Sequence, residues 1–396
     1  MEITVKINSK EGKKYKSGYP LILKSALMNP EVLEEEGSII KLVDEKGQFI
    51  GKGYFGIQNK GYGWLLTKNE KETIDQDFFN QKIMAAINRR KPFFENTDTT
   101  AFRLFNGEGD GIGGLTIDYF EGYCLINWYS KGIFKFKDYI IHSITSMLPV
   151  KGIYEKKRFD TAGMYIEDDD FVTGERAQFP LIVKENGVKF AIYLNEGAMV
   201  GVFLDQRDVR MQIRDKYAKG KTVLNTFSYT GAFSVFAALG GAKQTTSVDL
   251  ANRSLQKTQE QFEVNGLDPE KQEILVMDVF KYFKYAVRKQ LLFDLVILDP
   301  PSFARSKKHT FSAAKDYTNL LKEAIAITEK GGVIVASTNA SNFGMDKFKG
   351  FIDQAFIEMK GKYQLLEEFS LPQDFKVAKE FKEGNYLKVV FIRKIH

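Results

Sequence analysis

Beyond about residue 205 apolar and β-branched positions gather into short strand-like runs, at 222–225, 244–249, 273–276, 294–299 and 332–337, separated by longer stretches of helical periodicity. Strands alternating with helices in this way predict a parallel sheet covered on both faces, an α/β doubly wound domain. The N-terminal part has another rhythm. Residues 4–7 and 38–44 alternate apolar and polar positions, and Glu45-Lys46-Gly47 turns the chain into a second strand over 48–55. A small β-rich module is predicted there. From Asp75 to about Arg90 the residues Phe78, Phe79, Ile83, Ala86 and Ile87 return at helical spacing, which marks a boundary near 75.

Between about 95 and 195 lies Asn106-Gly107-Glu108-Gly109-Asp110-Gly111-Ile112-Gly113-Gly114, followed by the apolar run Tyr123-Cys124-Leu125-Ile126-Asn127-Trp128. The first is too glycine-rich for a helix and reads as a tight loop between strands. It lacks the strand-then-helix frame of a phosphate loop. The expected organisation is a β-rich domain over 1–75, a central α+β domain over 76–195 and the doubly wound domain over 196–396.

Composition narrows the function classes. The chain has 396 residues, enough for two or three domains. No run approaches the ~18 apolar residues of a membrane span, and Met1-Glu2-Ile3-Thr4-Val5-Lys6 has no apolar signal core; a cytoplasmic protein is expected. The single cysteine, Cys124, and three scattered histidines, His142, His309 and His396, offer no metal-ligand spacing, so no metal is expected. The net charge of +6 is modest. Its distribution is more informative, with Lys13, Lys14 and Lys24 near the N-terminus and Arg305, Lys307 and Lys308 beside a motif described next.

In an open parallel sheet, ligands bind beyond the carboxyl ends of the strands. The first strand here is followed by Asn225-Thr226-Phe227-Ser228-Tyr229-Thr230-Gly231, the second ends in Val248-Asp249-Leu250, and the third ends at Met277-Asp278-Val279-Phe280. Gly231 permits close approach of the backbone, Asp249 can accept ribose hydroxyls, and Asp278 can accept an adenine amino group beside Val279 or Phe280. Either aspartate could instead cap a helix. Only one of the three glycines of a dinucleotide fingerprint is present, which argues against a nicotinamide cofactor. The fourth strand ends in Asp299-Pro300-Pro301-Ser302-Phe303, where two prolines leave backbone carbonyls unpaired by a ladder and rigidly placed.

These residues, in this order, resemble class I S-adenosylmethionine-dependent methyltransferases, and Asp-Pro-Pro-Ser-Phe is similar to the signature of those acting on nucleic-acid bases. Phe203-Leu204-Asp205-Gln206-Arg207 and the run from Asn106 to Gly111 are similar to segments of bacterial 23S ribosomal RNA methyltransferases of the cytosine-5 type that carry an N-terminal PUA domain. The resemblance spans nearly the whole chain. It implies a Rossmann-like catalytic domain, a PUA-like RNA-binding module at about 1–75, S-adenosylmethionine as cofactor and RNA, in particular 23S ribosomal RNA, as partner. It also implies that Gln206, Asn225, Phe227, Ser228, Tyr229, Gly231, Asp249, Leu250, Asp278, Val279 and Asp299 surround the cofactor. A homodimer is left open.

One departure bears on mechanism. The cytosine-5 enzymes carry a nucleophilic cysteine in a Ser-Cys-Ser setting after the strand that follows Asp-Pro-Pro, and this chain has Ser337-Thr338-Asn339-Ala340-Ser341. Carbon 5 of cytosine needs a thiolate at carbon 6, whereas a base nitrogen attacks directly once aligned. Direct transfer is therefore expected, with Asp299 and the Pro300 carbonyl holding an extruded base and Phe303 stacking on it. Lys13, Lys14, Lys24, Arg305, Lys307 and Lys308 are expected to meet RNA phosphates. The rival is a non-catalytic RNA-binding or ribosome-assembly protein that keeps the cofactor pocket.

Overall fold

The structure, a computed structural model, describes residues 2–59, 61–159, 170–197, 199–305 and 310–396. The chain forms two compact units: Met1–Val183 with Ile192–Val200 and Gln373–Gly384, and Lys184–Ala191 with Gly201–Pro372 and Asn385–His396.

The first unit contains two five-stranded sheets. The N-terminal sheet comprises Ile3–Lys6, Leu21–Leu23, Ile39–Val43, Phe49–Gln58 and Gly61–Thr67. Its hairpin joins Ile39–Val43 to Phe49–Gln58 in antiparallel register, as the alternation predicted. A helix over Ser9–Ser17 was not predicted, because its sequence SKEGKKYKS is almost wholly polar and buries only Gly12 and Tyr15. Capping sustains it: Asn8 accepts a hydrogen bond from the Glu11 amide, and Gly18 closes the other end at φ 110. The second sheet holds Ala101–Asn106, Leu115–Phe120, Tyr123–Trp128, Gly152–Lys157 and Phe171–Gly174. The helix Gln76–Arg89, begun by the Asp75 cap, packs with Lys137–Met147 in a core containing Phe79, Phe102, Trp128 and Ile140.

The glycine-rich loop has a structural use. Asp110 accepts from Arg90 Nη1 at 2.8 Å and Nη2 at 2.6 Å, from Arg89 at 2.9 Å and from the Asn106 amide at 2.8 Å. Arg90 also donates to the Asp374 carbonyl at 2.6 Å, and Asn106 to the Lys376 carbonyl at 2.8 Å. The loop thus grips residues 374–376, and a Cβ on Gly109 would fall 1.8 Å from the Lys376 oxygen. Glycine is required there by the close approach of that backbone.

The second unit is built on a seven-stranded sheet: β1 Thr222–Thr226, β2 Gln244–Asp249, β3 Glu273–Val276, β4 Phe293–Leu298, β5 Thr328–Thr338, β6 Tyr363–Phe369 and β7 Lys388–Lys394. Their order across the sheet is β3-β2-β1-β4-β5-β7-β6. The five predicted strands are all present and parallel to one another. Two strands not expected from the sequence extend the sheet, β7 running antiparallel between β5 and β6. β6, with sequence YQLLEEF, is only partly buried and lacks the continuous apolar run that marks an interior parallel strand. Helices cover both faces. Tyr282, Phe283, Tyr317, Leu320 and Phe348 lie in one core cluster, while Val209, Ile213, Phe233 and Phe391 lie in another. The strand order reverses between β1 and β4, the crevice where doubly wound sheets take ligands.

Candidate active site

At the β1 end the chain turns sharply. Phe227 and Tyr229 have φ 55 and 53, and Gly231 has φ 76. Left-handed backbone at two aromatic residues costs of order 1 kcal/mol each and persists where surroundings enforce it. Here the Ser228 amide donates to the Val248 carbonyl at 3.1 Å and the Gly231 amide to the Ser228 carbonyl at 2.8 Å. The Tyr229 amide donates to Asp249 Oδ2 at 2.9 Å, joining the β1 and β2 ends. Gly231 opens the helix Ala232–Leu239, and a Cβ there would meet Thr258 Cγ2 at 2.5 Å. A neighbouring helix, Arg253–Glu263, thus also packs closely on this glycine.

The other expected cofactor residues divide. Asp249 Oδ1 accepts from the Ala251 amide at 2.9 Å, so both carboxylate oxygens are oriented by backbone. Leu250 is 61% exposed beside it. Asp278 caps the helix Val279–Arg288 by accepting from the Lys281 amide at 3.0 Å, the alternative that its sequence position left open. Val279 is buried in the core, while Phe227 and Phe280 meet edge to face with centroids 6.3 Å apart. Asn225 donates to Ser234 at 3.0 Å, which hydrogen-bonds Ser247 at 2.7 Å.

Gln206 and Asp299 come together from 93 positions apart. The Gln206 amide donates to Asp299 Oδ1 at 3.1 Å and to the Ser337 hydroxyl at 2.8 Å. Burial pushes the Asp299 carboxyl up to about 6, against hydrogen bonds from Ser337 and Gln206 that lower it. Pro300 is buried and Phe303 is 63% exposed. Nearby, the Tyr317 hydroxyl donates to the Ser337 carbonyl at 2.6 Å. Sequence reading missed Ser337 and Tyr317, as well as the pairing of the Ser302 hydroxyl with Asn339 Oδ1. No short-range pattern joins residues on different elements.

Gln206 is itself positioned by a buried anchor. Arg210, one turn on, meets Glu185 through two hydrogen bonds of 2.7 Å and the Phe203 carbonyl at 2.7 Å. Among the basic residues singled out in the sequence, Lys13 and Lys24 are exposed. Lys14 lies 3.6 Å from the Tyr19 ring centroid and Lys24 5.1 Å from that of Tyr62. Arg305 stands on the strand Phe303–Arg305; Lys307 and Lys308 lie outside the described residues.

The sheet order defines a Rossmann-like fold, with acids standing at the strand ends where such sheets take ligands. Gln206 Oε1 and Asn225 Oδ1 are buried with no hydrogen-bond partner among the described residues, and unpaired buried acceptors suit a cofactor bearing ammonium and hydroxyl donors. Residues 156–375 match the S-adenosylmethionine-dependent methyltransferases, and 5–68 match the PUA-like domain. The Bacillus subtilis (strain 168) protein YwbD, whose name places it provisionally among the ribosomal RNA large subunit methyltransferases, is 65% identical over 96% of this chain and 97% of its own. Ribosomal RNA large subunit methyltransferase I of Aeromonas salmonicida (strain A449) is 30% identical over 95% of each chain. The solved structure of SMU.776 complexed with SAH, provisionally named a methyltransferase, has a TM-score of 0.91 and 40% identity, covering 99% of this chain and 100% of that one. The chain belongs to the S-adenosylmethionine-dependent methyltransferase family and carries a PUA-like N-terminal domain.

Proposed function

We propose that this enzyme methylates a base of large-subunit ribosomal RNA, in particular 23S RNA, by direct transfer to a nitrogen in the pocket after β4. The observation that carries this reading is the placement of Asp249, Asp278 and Asp299 at or just past the ends of β2, β3 and β4, with exposed Phe303 four residues beyond the last. Relatives named as ribosomal RNA large subunit methyltransferases support the substrate class.

S-adenosylmethionine supplies an electrophilic sulfonium methyl. In this reading Asp249 orients the ribose, and Gln206, Asn225, Phe227, Ser228, Tyr229, Gly231, Leu250, Asp278 and Val279 complete the cofactor site. Phe303 offers a stacking face to an extruded base. The Asp299 carboxylate and Pro300 carbonyl accept its N–H donors and align the nitrogen lone pair, so that positioning supplies most of the rate. The sole cysteine supports direct transfer: Cys124 is buried in the first unit, and burial pushes its thiol up to about 12. A thiol held protonated cannot open the covalent route.

We read 1–75 as the RNA-gripping module, 76–195 as a central α+β domain and 196–396 as the catalytic part. The match at 5–68 supports the first of these. Lys13, Lys14, Lys24, Arg305, Lys307 and Lys308 are assigned to phosphate contacts. Among the described residues no helix is long and apolar enough to cross a membrane.

The test is transfer of labelled methyl from S-adenosylmethionine to unmodified large-subunit RNA, followed by mass spectrometry of the nucleosides. A base methylated on nitrogen is expected. Methyl on cytosine carbon 5 overturns direct transfer, and no methyl on RNA overturns the substrate.

A further inference from the structure

We infer that Asn339 reads an acceptor edge of the target base, an assignment that rests on the RNA-base reading above. Leu298 at the end of β4 pairs in parallel register with Ala336 near the end of β5. The chain leaving β4 through Asp299-Pro300-Pro301-Ser302-Phe303 and the chain leaving β5 at Asn339 therefore open on the same edge of the sheet. Thr338, the residue before, is fully buried, while Asn339 is exposed.

What Asn339 can offer there is set by Ser302. The Ser302 hydroxyl donates to Asn339 Oδ1. A carboxamide has an acceptor oxygen with two lone pairs and an NH2 group with two donors; the Ser302 bond turns the oxygen toward Ser302 and leaves both N–H donors of the NH2 group for a ligand. Ser302 is in turn fixed, since Pro301 precedes it and its carbonyl accepts from the Ala313 amide at 3.0 Å. The amide is thus a donor of set orientation on the edge that also carries Asp299 and exposed Phe303.

The groups on this edge are chemically complementary. Asp299 and the Pro300 carbonyl accept, and Asn339 donates. A base that places an amino or imino donor beside a carbonyl or ring-nitrogen acceptor satisfies both at once, and one presenting donors alone leaves the amide opposed. Discrimination by such a pairing is about 10- to 100-fold. Asn339 is on this reading a specificity residue, and Ser302 is a positioning residue that acts through it.

The experiment uses the full-length enzyme and an unmodified large-subunit RNA transcript, comparing Asn339→Asp, Asn339→Ala, Ser302→Ala and Ser302→Thr with the wild type. Asn339→Asp exchanges two donors for a charged acceptor and is expected to lower kcat/KM for RNA about 10- to 100-fold, more than Asn339→Ala. The KM for S-adenosylmethionine and the Tm stay unchanged. Ser302→Ala shows a smaller loss of the same kind, and Ser302→Thr, which keeps the hydroxyl, restores activity. Both Asn339 variants within twofold of wild type overturn the assignment. So does a loss that tracks cofactor affinity or Tm, which identifies the pair as a loop brace. If the wild type itself places no methyl on RNA, the RNA-base reading falls and takes this assignment with it, before any variant is compared.

Discussion

Gln206 and Asp299 are joined by a hydrogen bond of 3.1 Å between an amide nitrogen and a carboxylate oxygen, and the same nitrogen donates to Ser337 at 2.8 Å. The glutamine ties the end of β4 to the end of β5. Its own Oε1 is left buried with no partner among the described residues. A fixed amide with one unused acceptor is an arrangement that a ligand completes.

The carboxyl beside that amide should govern the pH dependence. Asp299 sits at about 6 in the fold, against an ordinary 3.8. Methyl transfer should rise as pH passes through about 6 and Asp299 ionises, then level off. Asp299→Asn should remove that step together with most of the activity. The stability sign is opposite. Between 3.8 and about 6 the folded protein holds more protons than the unfolded chain, so this group's contribution falls as pH rises through that window. Thermal unfolding of the two proteins should show a wild-type deficit that grows from about pH 4 to about pH 7, and parallel curves would refute it.

Arg90 and Asp110 form a buried pair with two hydrogen bonds. Removing one partner of such a pair costs about 3–5 kcal/mol. Asp110→Ala should therefore lower the Tm by many degrees. Gly109→Ala should do the same by displacing Lys376. Chemical denaturation measures both, and a drop in stability below about 1 kcal/mol in either would show that the grip on 374–376 contributes little.

Asp249 receives the amides of Tyr229 and Ala251, one on each carboxylate oxygen, which fixes its orientation. S-adenosylhomocysteine at about 100 times its Kd should stabilise the wild type by about 2.7 kcal/mol. Asp249→Ala should shift little under the same conditions. A full shift in the variant would remove Asp249 from the cofactor site.

Lys13 and Lys24 are exposed on the N-terminal unit. Replacing both with glutamine should weaken RNA binding and reduce the slope of log K against log salt by about 0.7–0.9 for each phosphate no longer neutralised. Filter binding at several salt concentrations reads this. An unchanged slope would place the RNA elsewhere, and cofactor binding should be unaffected.

Much of this was legible along the chain, and for a definite reason. The parallel strands β1 to β5 read as short runs of apolar and β-branched residues, and the positions at or just past the end of each run stand at the carboxyl edge of the sheet whatever the details of packing. The strand-end positions of Asp249, Asp278 and Asp299 could be placed from that rule alone. The helix Ser9–Ser17 could not, because its stability comes from caps and one buried tyrosine. β6 and β7 were missed because β6 is half-exposed at the sheet edge, and β7, which pairs with it, begins only at Lys388, well beyond the end of β6 at Phe369.

The sequence by itself determined the doubly wound class, the order of chemistry along the strand ends and the lack of a cysteine beside them, since these depend on local periodicity and on which residue types exist. Tertiary structure alone decided that Asp278 caps a helix, that the glycine-rich loop holds an arginine and a passing segment, and that Gln206, Asp299, Ser337, Ser302 and Asn339 share one edge. Those relations join residues far apart in the chain, and only the register of neighbouring strands brings their polar atoms within hydrogen-bond reach.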